Sequence, residues 1–209
     1  HMALSQEDQA YNKIKVAIGK GYIKKGSKLT ELALANSLNM SRATVKNAVK
    51  RLVFEGLAEH VPNKGVSVVN PTLEEINQSF EVRAHLEQMA IFQAADNFRA
   101  EDFRELADLI EEEEDLFKAK EMEKYHEINN AFHLKIAEKS ENKVLIHYIN
   151  ELLQKTTIYL VLTDPFYQLL DANHLSPSEH RQILQFLKEK KIDEAGQAMK
   201  HHLESTRHG

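Results

Sequence analysis

Cysteine is absent from this sequence of 209 residues, and its absence excludes two kinds of chemistry. A chain without thiols forms no disulfide and binds no metal through thiolate, which is consistent with a reducing cytoplasm. Long apolar stretches are absent as well, since no run approaches the ~20 residues that cross a bilayer. We find no signal peptide. We therefore expect a cytoplasmic protein with no membrane partner.

Charge is distributed unevenly between the two parts of the chain. The formal net charge is −5, but residues 1–70 carry 11 Lys and Arg against 5 Asp and Glu, whereas residues 71–209 carry 16 against 27. A basic first segment followed by an acidic remainder favours contact with nucleic acid at the first segment. Each segment is long enough to bury a core. We therefore expect two domains, residues 1–70 and residues 71–209.

Two short helices separated by a tight break are predicted within residues 30–55. Thr30 is a typical N-cap residue, Asn39-Met40 interrupts the apolar pattern, and Ser41 is a second N-cap candidate. In the helix after Ser41, apolar residues recur with a period of 3.6 while the opposite face is mostly basic. Such a helix can enter a major groove and contact phosphates, although a charged face is often only solvated.

The next segment predicts a β-hairpin. Two β-prone runs at residues 58–61 and 66–69 flank a turn that contains Pro, Asn and Gly, with Lys64 at its tip. Helices followed by a hairpin in this order predict a winged helix-turn-helix domain. The candidate contacts to double-stranded operator DNA lie on the second helix and in the hairpin: Arg42, Thr44, Lys46, Asn47, Lys50, Lys64 and Gly65.

This segment resembles the winged helix-turn-helix domain of the GntR regulators. The resemblance rests on Leu-Ala-x-x-Leu-x-Met-Ser-Arg at 34–42, on Phe-Glu-Gly-Leu at 54–57, and on a run at 21–31 similar to the family's G-x-L-x-P-G-x-x-L-x-E. The recognition helix departs from the family twice, with Ala43-Thr44 for the usual Thr-Pro and Lys46-Asn47 for the usual Arg-Glu. Because a lysine lacks the bidentate fork of arginine, we expect an operator that differs from the family's commonest one.

Residues 71–209 show helical periodicity and no strand pattern. The predicted helices lie near residues 72–96, 100–119, 121–140, 142–163, 165–174, 178–190 and 192–207. The predicted breaks are at Asn142, Asp164-Pro165, Ser176-Pro177 and Lys190-Lys191. The acidic run at residues 111–115 is interpreted as a solvated helix face. The expected fold class is therefore mostly α, a winged helix-turn-helix domain followed by an all-α bundle of six to seven helices.

Three histidines are predicted to face the interior of this bundle from three different helices. His133 shares the inner edge of its helix with Asn129, and His180 and His202 stand at helical spacing from inward-facing apolar residues. A buried histidine is usually a hydrogen-bonded core residue. Three together favour a metal site, because neutral imidazole is the commonest ligand for zinc or nickel.

The helical region resembles the FCD effector domain of the FadR-type GntR branch. The strings that carry the resemblance are Val82-Arg83-x-x-Leu86-Glu87-x-x-Ala90, Phe132-His133 followed by Asn142, Glu179-His180-x-x-Ile183-Leu184, and His201-His202-Leu203. It implies a homodimeric regulator that responds to a small carboxylate effector. It also implies a divalent metal whose protein ligands are Asn129, His133, His180 and His202.

Two positions in this implied site need separate comment. Metal-binding FCD domains have Asp four residues before the first histidine, where this chain has Asn129. An amide oxygen is uncharged, so we expect a metal here to depend more on an effector carboxylate. The resemblance also implies that Arg83 binds that carboxylate through its guanidinium fork, whereas the alternative is an ion pair with Glu87 one turn later.

The expected function is a dimeric transcriptional repressor whose operator affinity responds to a small organic acid, with zinc or nickel as the metal. One alternative is the same regulator without metal, in which the histidines hydrogen-bond the effector. A remote alternative is a metal-dependent hydrolase, because three histidines with open coordination can activate water. The sequence has no H-E-x-x-H motif, and we expect no enzymatic activity.

Overall fold

The described part of the computed structural model comprises residues 4–163 and 176–207. Within it the chain forms nine helices and one two-stranded sheet, and it divides into two units. The first unit comprises the described residues up to Thr72 together with Ile158–Thr163. The second unit contains the rest of the described chain from Leu73 onward. The predicted mostly α fold is confirmed.

The first unit contains three helices followed by a hairpin. Its elements are α1 (Gln6–Gly19), α2 (Glu31–Leu38), α3 (Arg42–Phe54), β1 (Ala58–Val61) and β2 (Gly65–Val68). Ser5 begins α1 with a capping box to Asp8, and the Ser41 side chain accepts a hydrogen bond from the Thr44 amide at the start of α3. Thr30 is the N-cap residue of α2 as predicted, but its side chain makes no capping hydrogen bond.

The hairpin has a three-residue loop. Val61 pairs with Gly65, and the Lys64 amide donates to the Val61 carbonyl at 3.0 Å. Pro62 and Asn63 therefore hold the two central turn positions, and the φ of 61° at Asn63 is what a type II turn requires at its second central residue. The second strand begins at Gly65, one residue before the predicted start.

Six described helices lie wholly or mainly in the second unit. They are α4 (Leu73–Ala94), α5 (Ala100–Ala119), α6 (Met122–Glu138), α7 (Lys143–Thr163), α8 (Ser176–Lys188) and α9 (Ile192–Arg207). The last part of α7, Ile158–Thr163, is counted with the first unit. The predicted break at Ser176-Pro177 is wrong, because these residues form the first turn of α8, where a proline costs no hydrogen bond. The helix predicted at 165–174 lies outside the described residues. No described helix meets the length and apolarity that a bilayer crossing requires.

The main core of the second unit is built by five of these helices. It joins α4, α5, α6, α8 and α9 through buried apolar residues that include Ile91, Leu106, Phe132, Ile183 and Met199. A second cluster packs α7 against α4 and α6. The two helices that carry His180 and His202 are therefore held against the helix that carries His133.

Replacing a core leucine should destabilise this unit far more than replacing an exposed one. Leu106 is fully buried, whereas Leu73 is 71% exposed. Leu106→Ala should lower the free energy of unfolding by about 2–5 kcal/mol through lost burial and the cavity left behind. Leu73→Ala is the matched control and should change it little. Urea titrations followed by far-UV circular dichroism measure both, and equal effects would contradict the core assigned here.

Candidate DNA-binding surface and buried histidine centre

Helix α3 presents a basic face to solvent. Val45, Ala48, Val49 and Leu52 are buried against the first unit's core, and Arg42, Lys46 and Lys50 are exposed on the other side. The three cations lie four residues apart, so they form one stripe along the helix. The structure therefore presents the three charged candidates of α3 on a single accessible face.

The two polar candidates on α3 have protein partners. The Thr44 hydroxyl lies 2.8 Å from the Ser41 hydroxyl, and the Asn47 amide donates to the Glu7 carboxylate at 3.2 Å. In the hairpin, Lys64 and Gly65 are both exposed. Gly65 has a φ of 89°, a conformation that side chains with a Cβ rarely adopt.

Arg51 links α3 to α1, and this structural role was not predicted from the sequence. Its guanidinium lies 3.8 Å from the centre of the Tyr11 ring and donates to Asp8 at 3.2 Å and to Glu55 at 3.0 Å. The Tyr11 hydroxyl also bonds Glu55. Arg51 is therefore paired within the domain, which distinguishes it from the candidate stripe of Arg42, Lys46 and Lys50.

The second unit brings the three predicted histidines into one cluster. His133 on α6, His180 on α8 and His202 on α9 are all at most 3% exposed. One candidate ligand atom from each lies within 4.8 Å of the other two. The expectation that three helices direct their imidazoles to a shared interior point therefore agrees with the structure.

Each imidazole is oriented by its own carboxylate. The Nδ1 atom of His133 lies 2.6 Å from Glu87, that of His180 lies 2.7 Å from Glu113, and that of His202 lies 2.7 Å from Glu179. A carboxylate can only accept, so each Nδ1 carries the hydrogen. In a neutral ring the Nε2 atom is then left with a lone pair, the arrangement found for histidines that bind metal.

Among the described residues, the three Nε2 atoms lack suitable partners for those lone pairs. The Nε2 atoms of His180 and His202 lie 3.2 Å apart, and two acceptors at that distance repel unless a cation or a proton lies between them. The Nε2 atom of His133 is buried without a hydrogen-bond partner among the described residues. Such orphaned buried groups are costly, so the cluster is suited to an added electrophile.

Burial and charge act on the carboxylates in opposite directions. Burial alone would raise the pKa of Glu87, but the guanidinium of Arg83 and the imidazole of His133, which both hydrogen-bond this carboxylate, outweigh burial and lower the pKa to about 2. The pKa of Glu113 is lowered to about 2 against its burial, mainly by the imidazole that faces it. Both groups are therefore carboxylate anions at neutral pH.

Burial keeps two of the imidazoles neutral. It lowers the pKa of His133 to about 3, against the attraction of Glu87. It lowers the pKa of His202 to about 4, and the neighbouring His180 acts in the same direction. Both rings can therefore offer a lone pair at neutral pH without first losing a proton.

Arg83 forms the buried ion pair that was the alternative to its effector role. Its Nε atom lies 2.5 Å from Glu87, and its Nη1 atom donates to the Thr156 hydroxyl at 3.0 Å. The Nη2 atom is buried and has no hydrogen-bond partner among the described residues. Because Glu87 also bonds His133, the guanidinium is linked to the histidine cluster through one shared carboxylate.

Asn129 lies one turn before His133 and contacts the same centre. Its Nδ2 atom donates to Glu113 at 2.9 Å and to the Ser176 hydroxyl at 3.2 Å. Because Nδ2 is turned toward these two oxygens, Oδ1 is the atom that remains available to a ligand. The amide is therefore an oriented neighbour of the cluster.

Glu113 corrects the interpretation of the acidic run at residues 111–115 as a solvated face. It is 1% exposed and holds His180, whereas Glu111, Glu112 and Asp115 are exposed as expected. The signal was present in the sequence, because Glu113 follows the buried Ile110 by three residues and Leu106 by seven. Glu87 and Glu179 were likewise missed as partners of the histidines.

The donor set fits a divalent transition metal. Three convergent imidazole nitrogens with carboxylates behind them, and one amide oxygen nearby, match the ligands that zinc and nickel accept. His133, His180, His202 and Asn129 are the residues that would hold such an ion. Arg83 is set apart from them by Glu87, which it contacts directly.

A winged helix-turn-helix unit joined to an all-helical unit with a buried polar centre defines a DNA-binding transcriptional regulator. Comparison with known proteins agrees. The family model described as "Bacterial regulatory proteins, gntR family" matches residues 6–68, and the model of the FCD domain matches residues 78–205. The chain belongs to the GntR family and carries an FCD domain. It is a transcriptional regulator.

Individual relatives support this assignment. The chain is 27% identical to the HTH-type transcriptional regulator YdhC of Bacillus subtilis over 193 residues, which cover 90% of this chain and 84% of that one. It is 28% identical to the Uxu operon regulator of Haemophilus influenzae over 93% of this chain and 77% of that one. The structure of E. coli McbR/YncC has a similar fold, with a TM-score of 0.70 at 23% identity, covering 98% and 96% of the two chains.

The buried ion pair should matter much more to stability than an exposed pair of the same type. Glu87→Gln leaves the buried Arg83 without its counter-charge and should lower the free energy of unfolding by about 3–5 kcal/mol. Glu101→Gln removes an exposed partner of Arg104 and is the matched control, expected to have almost no effect. Urea unfolding of both variants without metal measures the difference. Similar stabilities would show that the guanidinium does not need Glu87.

Proposed function

We propose that this regulator binds operator DNA through its winged helix-turn-helix domain, residues 1–70, and that its helical domain, residues 71–209, binds a divalent transition metal and a small organic acid. The observation that carries the metal is the convergence of three imidazoles whose Nδ1 atoms all face carboxylates. Zinc and nickel both accept imidazole ligands of this kind. His133, His180, His202 and Asn129 are the proposed ligands.

Charge balance also favours a divalent cation. Glu87, Glu113 and Glu179 contribute three negative charges at this centre, and Arg83 contributes one positive charge. With the imidazoles neutral, the centre carries a formal charge of −2 in largely buried surroundings, which is costly without compensation. A divalent ion balances that charge. The carboxylates behind the histidines thus supply what the uncharged Asn129 does not.

The proposed effector is a small carboxylate. A metal bound by these residues would supply a Lewis-acidic position that a carboxylate can ligate. The Nη2 atom of Arg83 has no hydrogen-bond partner in the part of the chain that the structure describes, and it is a buried donor that an acid reaching it would satisfy. The metal-free alternative requires an effector that donates hydrogen bonds to the Nε2 atoms, which a carboxylate anion cannot do.

The proposed regulatory step is a change in operator affinity of a homodimer. A helix-turn-helix dimer must match half-sites about 34–36 Å apart, so any change in the spacing of its two recognition helices alters binding without altering a base contact. An effector drives such a change only if it binds the two arrangements with different affinity. We propose that repression is relieved in this way.

The stripe on α3 can be tested by the salt dependence of operator binding. Lys46→Ala and Lys50→Ala should each weaken binding and reduce the slope of log affinity against log salt by about one unit, if each lysine contacts a phosphate. Lys143→Ala, at an exposed position in the helical unit, is the control and should leave the slope unchanged. An unchanged slope for the α3 variants would exclude these contacts.

The metal can be tested by elemental analysis of protein purified without chelator or affinity tag. We expect about one equivalent of transition metal per chain, lost in His180→Ala because a buried ligand is removed. His201→Ala is the matched control, since this neighbour of His202 is exposed and should leave the metal content unchanged. Protein that stays metal-free after dialysis against zinc and nickel would refute the metal site and favour direct binding of the effector by the histidines.

A further inference from the structure

Glu113 contacts more of the histidine centre than either of the other two carboxylates. One oxygen accepts from the Asn129 amide at 2.9 Å and from the Ser176 hydroxyl at 3.0 Å, and the other faces His180 Nδ1 at 2.7 Å. By contrast, Glu87 and Glu179 each contact a single member of the proposed ligand set. A carboxylate on α5 therefore connects two proposed ligands that lie on α6 and α8.

We infer that Glu113 is the positioning residue of the metal centre and that Glu113 and Asn129 form a matched pair whose two side chains cannot be changed independently. This inference rests on the proposed metal function. The pair consists of one carboxylate that accepts and one amide that donates. Its geometry leaves Asn129 Oδ1 as the ligand atom and His180 Nε2 as the free lone pair.

The orientation of Asn129 follows from its two donor contacts. The Nδ2 atom donates to the Glu113 carboxylate and to the Ser176 hydroxyl, and these two oxygens are themselves joined by a hydrogen bond. Rotating the amide by half a turn would place Oδ1 against the Glu113 carboxylate, where two acceptors repel. Glu113 therefore decides which atom of Asn129 is available to a metal.

Charge explains why position 129 carries an amide in this chain. A carboxylate at position 129 would stand about as far from Glu113 as the present 2.9 Å contact, with both groups buried or half-buried. Two anions at that distance repel strongly where water is scarce. Introducing a charged ligand at position 129 should therefore weaken the site, although a carboxylate is ordinarily the better metal ligand.

Exchanging the two groups should restore the arrangement. With a glutamine at position 113 and an aspartate at position 129, the amide and the carboxylate trade places, so position 113 donates to position 129. The oxygen of the new amide can still accept from His180 Nδ1. The net charge of the centre is the same as in the natural protein. The two substitutions should therefore compensate each other.

A double-mutant cycle on the full chain tests this inference. Zinc affinity is measured by competition with a chromophoric chelator for wild type, Asn129→Asp, Glu113→Gln and the combined variant. Each single substitution should weaken zinc at least tenfold, as loss of a partner that orients a ligand commonly does. The combined variant should return to within a few-fold of wild type. Asn130→Asp, on the same helix but bonded to Thr157, is the matched control and should behave like wild type.

The free energy of unfolding of the same four proteins, measured by urea titration without metal, gives a second double-mutant cycle. Each single variant should be less stable than wild type and the combined variant should recover, because the pairing exists without metal. If wild type binds no zinc but the stability cycle shows this recovery, the proposed metal function fails while the pairing stands. If Asn129→Asp alone tightens zinc binding, or the two substitutions add independently in both readouts, the inference is overturned.

Discussion

The helical domain depends on one repeated interaction, a buried imidazole held at Nδ1 by a buried or half-buried carboxylate. It occurs three times, and each occurrence joins different helices: α6 to α4, α8 to α5, and α9 to α8. Charged groups are rarely taken out of water unless they are paired. The apolar core that surrounds the cluster therefore enforces the pairing, and the pairing directs all three Nε2 atoms inward.

This arrangement separates charge in a way that suits a sensor. The carboxylates face the Nδ1 side of each imidazole, and the lone pairs are on Nε2 at the other side. The negative charge therefore attracts a cation, while neutral nitrogen atoms are its direct ligands. Arg83 adds a positive group at the edge, linked to the cluster through Glu87. In the DNA-binding domain the exposed charge is positive. Arg51 is paired with Asp8 and Glu55, whereas the stripe of Arg42, Lys46 and Lys50 on α3 is accessible to solvent.

Local signals explain which features could be predicted from the sequence. The Ser41 cap, the turn around Asn63 and the helical spacing of His133, His180 and His202 each depend on a few adjacent residues, and these features were predicted. The start of α8 was missed because Ser-Pro suggests a break equally well outside a helix and in its first turn. Glu113 was missed because a run of five acidic residues suggests solvent. Its spacing from Ile110 and Leu106 indicates a buried position, but its pairing with His180 on α8 is seen only in the structure. Pairing across helices depends on tertiary structure, which periodicity does not contain.

The tautomeric state of the three histidines tests the account most directly. Nitrogen-15 NMR of histidine-labelled, metal-free protein at neutral pH distinguishes a protonated Nδ1 from a protonated Nε2. The account predicts that His133, His180 and His202 all carry hydrogen on Nδ1, with Nε2 unprotonated and shifted when zinc is added. Hydrogen on Nε2 in any of the three would contradict the claim that the carboxylates present three lone pairs to one ion.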